Sequence, residues 1–263
     1  MRALDTAATG MAAMDLQVQV IAGNLANMTT TGFKSQRAEF QDLIYEHVQR
    51  IGAQASDNGN ILPVGIELGS GVKTVGTPRL MTQGTLAQTG NTLDVAIQGS
   101  GWFKVLMPDG TFSYTRDGSF QMDKNGIVVD SSGNPLDPQI TIPPNAQSVT
   151  IATDGTVSYM TPGQTSSQQA GQIQLAMFQN PAGLTSIGQN LYQPTDASGD
   201  ATVAAPGGTE GLGTLMQGYT EQSNVSVVDE FINLIVAQRA YEANSKVVKA
   251  ADETYQQVNN LKQ

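Results

Sequence analysis

The sequence predicts an α+β protein, with a long helix at each end and a mainly antiparallel all-β domain between them. Two observations predict this fold. Apolar residues repeat every seven positions at both ends of the chain, which is typical of helices that pack side by side. In the middle, turn signals such as Asp-Gly and Asn-Gly recur roughly every 8–12 residues, as in all-β domains.

The N-terminal helix is predicted within residues 1–30. Its heptad a and d positions are Leu4, Ala7, Met11, Met14, Val18, Ile21, Leu25 and Met28. This stripe is narrower than the apolar face of a helix in a globular core. Gly10 and Gly23 lie outside the stripe, and each costs about 1 kcal/mol relative to Ala. A single helix of this kind is marginal in water, so we expect it to pack against other helices.

The C-terminal helix is predicted within residues 223–263. Its heptad positions are Val227, Leu234, Tyr241, Val248 and Tyr255, with Ala237, Asn244, Ala251 and Val258 three residues after the later ones. Ser226 and Asp229 form a capping box, so the helix should run from about Val227 to near Leu261.

Two arrangements would satisfy both heptad stripes. The helices could pack among the helices of other copies, or they could form a hairpin within one chain. Polar residues such as Gln238, Asn244 and Ser245 interrupt the second stripe, and they favour packing among many helices. On this basis we expect Val18 and Val248 to be exposed in the single chain and buried in an assembly.

The region between the helices divides at a Gly-rich stretch. Residues 52–71 are small, polar and rich in Gly, which indicates a linker or an extended loop. Beyond it, short β-prone runs lie between the turns, at residues 102–107, 111–115, 127–130, 148–152 and 173–178. The predicted domains are an assembly helix at 1–30, a linker and loop at 31–71, a β domain at 72–222 and a second assembly helix at 223–263.

Composition argues against several classes of function. The formal net charge of −10 makes nucleic acid an unlikely partner, since no basic stripe is available to contact phosphates. With no cysteine and one histidine, His47, the chain has no pattern for a metal site, a cofactor or a catalytic Ser-His pair. Asp5 and Asp15 interrupt any apolar run near the start, so we expect no cleaved signal peptide.

Six segments resemble one protein family, the bacterial flagellar rod and hook proteins. Near the start these are Asn-Leu-Ala-Asn at residues 24–27 and Thr-Gly-Phe-Lys at residues 31–34. The others are residues 92–103, 114–120 and 223–225 with 238–246. From the first two motifs, the resemblance singles out Asn24, Asn27, Thr31, Gly32, Phe33 and Lys34. The resemblance extends from one end of the chain to the other, with a departure at Gly23, where the family often has Asn.

The resemblance implies a structural subunit of a flagellar axial tube rather than an enzyme. Within the family, the chain is most similar to the distal rod branch, because it is too short for the extra outer domain of hook proteins. Residues 52–71 also occupy the place of a loop typical of that branch. Proximal rod and hook subunits remain alternatives within the family. A secreted wall-acting enzyme or adhesin is the alternative from another class.

The resemblance also implies partners and a location. Such subunits polymerise into a hollow, stiff tube, whose inner wall is formed by the terminal helices, and contact proximal rod and hook proteins. They meet the ring proteins of the peptidoglycan layer and the outer membrane, and they leave the cell through the flagellar export apparatus without a cleaved signal. We therefore expect a flagellar basal-body protein that spans the periplasm, transmits torque and needs no cofactor.

Overall fold

The computed structural model describes residues 2–49, 64–164, 166–208 and 211–260. It contains two long helices, α1 (Arg2–Ala26) and α2 (Val227–Asn260), and a short 3₁₀ turn at Pro181–Gly183. The strands are β1 (Glu39–Asp42), β2 (Tyr45–Gln49), β3 (Ile66–Gly69), β4 (Val72–Gly76), β5 (Leu86–Gln88), β6 (Val95–Gln98), β7 (Trp102–Leu106), β8 (Phe112–Thr115), β9 (Gln121–Met122), β10 (Val128–Val129), β11 (Ser148–Ile151), β12 (Thr156–Met160), β13 (Gln168–Gln172), β14 (Leu175–Met177), β15 (Thr185–Gly188), β16 (Leu191–Gln193), β17 (Thr202–Ala204), β18 (Thr214–Gln217) and β19 (Tyr219–Glu221).

This architecture confirms the predicted α+β class. Each of the five predicted β-prone runs contains a strand: β7, β8, β10, β11 and β14. Throughout the described part of the chain, the paired strands are antiparallel. The β region therefore follows from local turns and short strands, as the spacing of the turn signals predicts.

The chain divides into two compact units. Unit 1 contains α1, α2 and residues 36–78, and unit 2 contains residues 26–35 and 79–225. In unit 1, β1 pairs with β4 and β2 pairs with β3. We call the β2–β3 pair the ribbon. Neither helix in the described part of the chain is long and apolar enough to cross a membrane.

Unit 2 is built on a six-stranded sheet with the strand order β15-β16-β8-β7-β14-β17. Alternate residues of β7 face opposite sides, so Phe103 and Val105 join one core cluster while Trp102 joins another. Both clusters are closely packed, with edge-to-face rings at Phe103–Phe120 and Trp102–Tyr192, 5.0 and 4.9 Å between centroids. The sheet is therefore covered on both faces.

The two units interleave along the chain, whereas the sequence predicts consecutive domains. Residues 31–35 belong to unit 2, and most of the predicted linker belongs to unit 1. That segment contains β1, β2 and β3 rather than an extended loop alone. All residues of β2 and β3 are exposed. β3 alternates apolar and polar residues only over Ile66-Glu67-Leu68, which is too short a run to indicate a strand. Most of the predicted loop at 52–71 lies outside the described residues.

Candidate assembly site

Within unit 1, α1 and α2 lie against each other and run antiparallel. The side-chain amide of Asn24 donates a hydrogen bond of 2.8 Å to Oε1 of Glu230. Further along, a Cβ atom placed on Gly10 would lie 2.8 Å from Nδ2 of Asn244. Residues near the start of α1 contact the later part of α2, and residues near the end of α1 contact the start of α2. This is the pattern of an antiparallel pair. The single chain therefore has the helical hairpin that the heptads leave open as an alternative.

This contact gives Gly10 a structural role that the sequence does not reveal. From helix propensity alone, Gly10 only destabilises α1. In the structure, the missing side chain lets Asn244 of α2 approach the backbone of α1 closely. A residue with a Cβ atom at this position would have to displace the Asn244 amide. Close approach is a recurrent reason for Gly inside an element.

The predicted α1 stripe is covered unevenly within the single chain. Ala7 and Ile21 are buried. Met28 lies beyond the end of α1 and is 41 % exposed. The other α1 heptad positions are half-buried: Leu4, Met11, Met14, Val18 and Leu25.

The α2 stripe is covered still less. Leu234 and Val248 are half-buried. Val227, Tyr241 and Tyr255 are exposed, at 37, 44 and 44 %. The expectation that Val18 and Val248 are exposed in one chain is wrong, because both are half-buried on helices that pair with each other.

A second apolar surface of α2 lies away from α1. It consists of Val228, Phe231, Ile232 and Ile235, which are 69, 48, 53 and 56 % exposed. We call these four residues the α2 strip. At 3.6 residues per turn they share one face, nearly opposite Ala237 and Asn244 on the α1 side. Their i, i+3, i+4, i+7 spacing was readable in the sequence, but the heptad pattern does not include it.

An open groove lies elsewhere in unit 1. Its volume is about 610 Å³. It is lined by Ala3, Asp5, Thr6 and Ala7 of α1, Glu46, Leu68 and Gly69 of the ribbon with Ser70, and Asn244 and Val247 of α2. We call it the unit 1 groove. Most of these side chains are short, which leaves room between the two helices and the ribbon.

The ribbon that forms one wall of this groove has exposed side chains along both strands. Ile66 and Leu68 are 50 and 46 % exposed, and Nδ1 of His47 lies 3.1 Å from Oε1 of Glu67 across the two strands. An isolated two-stranded ribbon is at best marginally stable in water. It therefore resembles the helices in having apolar side chains that the single chain does not cover.

The first family motif fastens the end of α1. Asn24 is 3 % exposed; its Nδ2 donates 2.8 Å hydrogen bonds to the Gln36 carbonyl oxygen and to Glu230. Its Oδ1 accepts a 2.8 Å bond from the Gln36 backbone N–H. Asn27 continues the turn beyond α1, because its backbone oxygen accepts from the Thr30 N–H at 3.2 Å. Asn24 thus holds α1, α2 and the returning chain together in unit 1.

The second motif, residues 31–34, lies in unit 2. Gly32 has a φ of +69°, and a Cβ atom there would lie 2.8 Å from the Asp117 backbone nitrogen. Its N–H donates a 2.7 Å bond to the Glu221 carbonyl oxygen. The Thr31 carbonyl oxygen accepts from Nδ2 of Asn190 at 3.1 Å. Gly is required here both for its backbone conformation and for lack of space.

Phe33 and Lys34 complete this motif. The Phe33 ring lies under the Arg79 guanidinium, 5.9 Å from its centroid. Lys34 Nζ lies 2.5 Å from Oε1 of Glu221 and donates a 2.8 Å bond to the Thr82 carbonyl oxygen. Both side chains of the Lys34–Glu221 pair are fully buried.

Arg116 is the third charged residue of this buried site. Its NH1 lies 3.4 Å from Oε2 of Glu221, and its NH2 donates a 2.7 Å bond to the Gly99 carbonyl oxygen. Burial lowers the pKa of Lys34 and of Arg116, while the Glu221 carboxylate opposes both shifts. We call Lys34, Arg116 and Glu221 the Glu221 cluster. It joins the chain leaving α1 to the chain approaching α2, within unit 2.

The role of Glu221 is not indicated by any local sequence pattern. Glu221 pairs with Lys34, 187 positions away along the chain, and no pattern in the sequence relates two such distant residues. Arg116 belongs to a segment that resembles the family, but the resemblance does not indicate which residue Arg116 contacts. In the described part of the chain, no group of three His, Asp or Glu side chains is placed to hold a metal ion.

Comparison with known families covers both ends and the middle of the chain. Residues 4–34 match the family described as "Flagella basal body rod protein". Residues 96–159 match "Flagellar hook protein FlgE/F/G D1 domain", and residues 216–261 match "Flagellar basal body rod FlgEFG protein C-terminal".

Full-length relatives give the same result. The chain is 51 % identical over 262 residues to flagellar basal-body rod protein FlgG of Caulobacter vibrioides, covering 100 % of both chains. It is 46 % identical over 264 residues to FlgG of Borreliella burgdorferi, covering 100 % of this chain and 99 % of that one. FlgF of Caulobacter vibrioides is 35 % identical over 236 residues, with 88 % and 86 % of the two chains covered.

Proposed function

Because the chain belongs to the family of flagellar basal-body rod proteins, we propose that it is the structural subunit of the distal rod. In this role it polymerises into a hollow, stiff axial tube, which transmits motor torque to the hook and serves as an export channel. The higher identity to FlgG than to FlgF supports the distal position. The chain acts as a structural element and not as an enzyme.

One observation carries this proposal: α2 leaves most of its apolar side chains uncovered. It has 34 residues, and among those whose burial is described, Ala237 alone is buried. Burying one exposed Val or Ile side chain contributes on the order of 1.5 kcal/mol or more. A helix this long therefore gains most of its packing energy only when other copies cover it. The heptad positions that the single chain leaves exposed or half-buried, together with the α2 strip, are the proposed subunit interface.

The proposed domain roles follow from this interface. Residues 1–30 and 223–263 are the assembly helices, residues 72–222 are the outward-facing β domain, and residues 31–71 are the linker and loop, of which the loop at 52–71 packs against neighbouring subunits. The exposed apolar residues Ile66 and Leu68 support a packing role for the ribbon. By contacting neighbours, the loop at 52–71 would oppose subunit sliding and keep the tube straight.

The proposed partners are other copies of this chain, the proximal rod and hook proteins, the rings of the peptidoglycan layer and outer membrane, and the export apparatus. The proposed location is the flagellar basal body across the periplasm, reached without a cleaved signal. The net charge of −10 does not favour nucleic acid as a partner.

Electron microscopy of the concentrated, purified protein tests the proposal directly. We expect straight, hollow tubes. In Ile232→Asp, every subunit would place a carboxylate in the α2 strip, which is exposed in the single chain. Its desolvation in the interface costs several kcal/mol, so tubes should be lost. The matched control is Gln257→Asp, which adds the same charge at an exposed position of α2 and should leave tubes intact. Failure of the unmodified protein to form tubes at any concentration would contradict the proposal.

A further inference from the structure

Two surfaces of unit 1 complement each other but cannot meet within one chain. The α2 strip is an exposed apolar ridge, and the unit 1 groove is an open depression with short lining side chains. We propose that the α2 strip of one copy occupies the unit 1 groove of the next copy. This inference rests on the proposed function, since it specifies the contact by which copies would join in the rod.

The geometry of α2 excludes the same contact inside a single chain. Asn244 and Val247 line the groove, and Asn244 follows the α2 strip by about 14 to 24 Å along the helix axis. The strip also lies on nearly the opposite face of α2 from Asn244. A continuous helix cannot bend its own strip into its own groove, so the occupant must come from outside the chain.

A second copy is the occupant that best matches the groove. The strip presents Phe231, Ile232 and Ile235, each about half exposed. The lining includes Ala7, Leu68 and Gly69, and about 610 Å³ is ample room for an aromatic ring and two branched side chains. Every copy carries one α2 strip and one unit 1 groove, so in a homopolymer each strip has one groove to occupy.

The charges at the two surfaces agree with this pairing. Arg239 lies one turn after Ile235 on the strip face, and its NH1 is 3.3 Å from Oε2 of Glu242 in an exposed pair. Asp5 and Glu46 contribute carboxylates to the groove. When the strip enters the groove, Arg239 arrives near these carboxylates, and opposite charges at the edge of a contact fix its register.

The contact has a consequence for assembly. It uses two different surfaces, so it is heterologous, and each bound copy still offers a free strip at one end and a free groove at the other. Such a contact continues into a polymer. A contact between two identical strips would close a dimer and stop there.

Disulfide trapping tests the contact, and the absence of native cysteine makes each engineered pair unambiguous. The variant Ile232→Cys/Ser70→Cys is assembled, checked for tubes by microscopy and oxidised mildly. We expect a ladder of covalent oligomers extending beyond dimers. The matched control, Ile232→Cys/Gln257→Cys, carries the same number of thiols away from the groove and should give no ladder.

Each result decides the question. Tubes without a ladder contradict the inference but leave the proposed function standing. Dimers from Ile232→Cys alone would show strip-to-strip contact and overturn the heterologous arrangement. Failure of the unmodified protein to form tubes contradicts the proposed function itself.

A charge exchange provides a second test that introduces no cysteine. Arg239→Glu should raise the critical concentration for tube formation about tenfold, because it places like charges together at the groove. The double variant Asp5→Arg/Arg239→Glu should restore a value near that of the unmodified protein. A double variant as weak as Arg239→Glu alone would contradict the predicted register.

Discussion

The six-stranded sheet of unit 2 and helix α2 of unit 1 differ in how far their apolar side chains are buried. In the sheet, Phe103 and Val105 are completely buried, and Trp102 packs on the other face. On α2, Phe231 and Ile232 remain about half exposed. The difference shows that one region buries its apolar side chains inside the chain, whereas the other leaves them uncovered, as the proposed assembly requires.

The largest expected difference compares the same substitution in both regions. Phe103→Ala should destabilise unit 2 by about 3–5 kcal/mol, because it leaves a cavity in a packed core. Phe231→Ala should change the stability of the single chain by less than about 0.5 kcal/mol and should instead abolish or weaken tube formation. Urea unfolding followed by fluorescence measures the first effect. Trp102 is the single tryptophan, so this signal reports unit 2.

Equal losses of single-chain stability in the two variants would contradict the comparison. Phe231 would then belong to the core of its own chain, and the α2 strip would not be a surface for assembly.

The second prediction concerns the Glu221 cluster. Glu221→Gln leaves Lys34 and Arg116 buried without a carboxylate, and removing one partner of a buried pair costs about 3–5 kcal/mol. The matched control is Glu39→Gln in unit 1, which removes the exposed pair with Arg37 and should cost at most about 1 kcal/mol. Urea unfolding of both variants gives the comparison. A Glu221→Gln variant as stable as the control would show that the cluster has another source of compensation.

The third prediction contrasts two glycines. Gly32→Ala should destabilise unit 2 by about 1–3 kcal/mol, because the φ of Gly32 is +69° and backbone atoms of Arg116 and Asp117 occupy the place of a Cβ. Gly23→Ala should stabilise α1 by up to about 1 kcal/mol, since no described atom beyond the neighbouring helix backbone lies within 4 Å of the added Cβ. Trp102 fluorescence follows the first variant and far-UV circular dichroism the second. A loss of stability in Gly23→Ala would mean that the position has a contact that only Gly permits.

The smallest expected effect is a pH dependence in unit 2. The backbone N–H and the hydroxyl of Thr156 donate hydrogen bonds to Asp154 and lower the pKa of its carboxyl below 3.8. The folded state thus favours the carboxylate. The resulting stability is present above about pH 3.8 and is lost as the pH falls through the folded pKa.

Asp154→Asn should therefore reduce the loss of unit 2 stability between pH 5 and pH 2. Asp252→Asn, an exposed carboxylate of α2, serves as the control from the other region and should leave the acid dependence of Trp102 fluorescence unchanged. An acid dependence that Asp154→Asn leaves equally steep would assign it to other groups.

Much of this fold is predictable from local sequence patterns. The heptad positions around Val18 and Val248 predict both helices, and turn dipeptides around β7 and β8 predict the strands. These features depend on residues within one or two turns of each other, so the sequence displays them directly. The ribbon was not predicted, because β2 and β3 bury neither face and the only alternation, Ile66-Glu67-Leu68 in β3, is short and flanked by Gly65 and Gly69.

The candidate site was predicted only in part. The heptads predict the helices as the assembly elements, but they omit the α2 strip, whose spacing follows another face of α2. The pairing of Lys34 with Glu221 and the approach of Asn244 to Gly10 depend on residues that are distant in sequence. Such contacts are set by the tertiary fold, so no local pattern contains them.

The contact between Gly10 and Asn244 also imposes an order of events on folding. Protein synthesis proceeds from the N-terminus, so α1 exists long before the chain reaches residue 244. Lys34 likewise cannot form its ion pair before residue 221 has been synthesised. Contacts between such distant residues require closure of a very long loop and form slowly. A growing chain can therefore form the Glu221 cluster only after residue 221 has been synthesised, and the contact between Gly10 and Asn244 only after residue 244. Until then, α1 has no intramolecular partner helix.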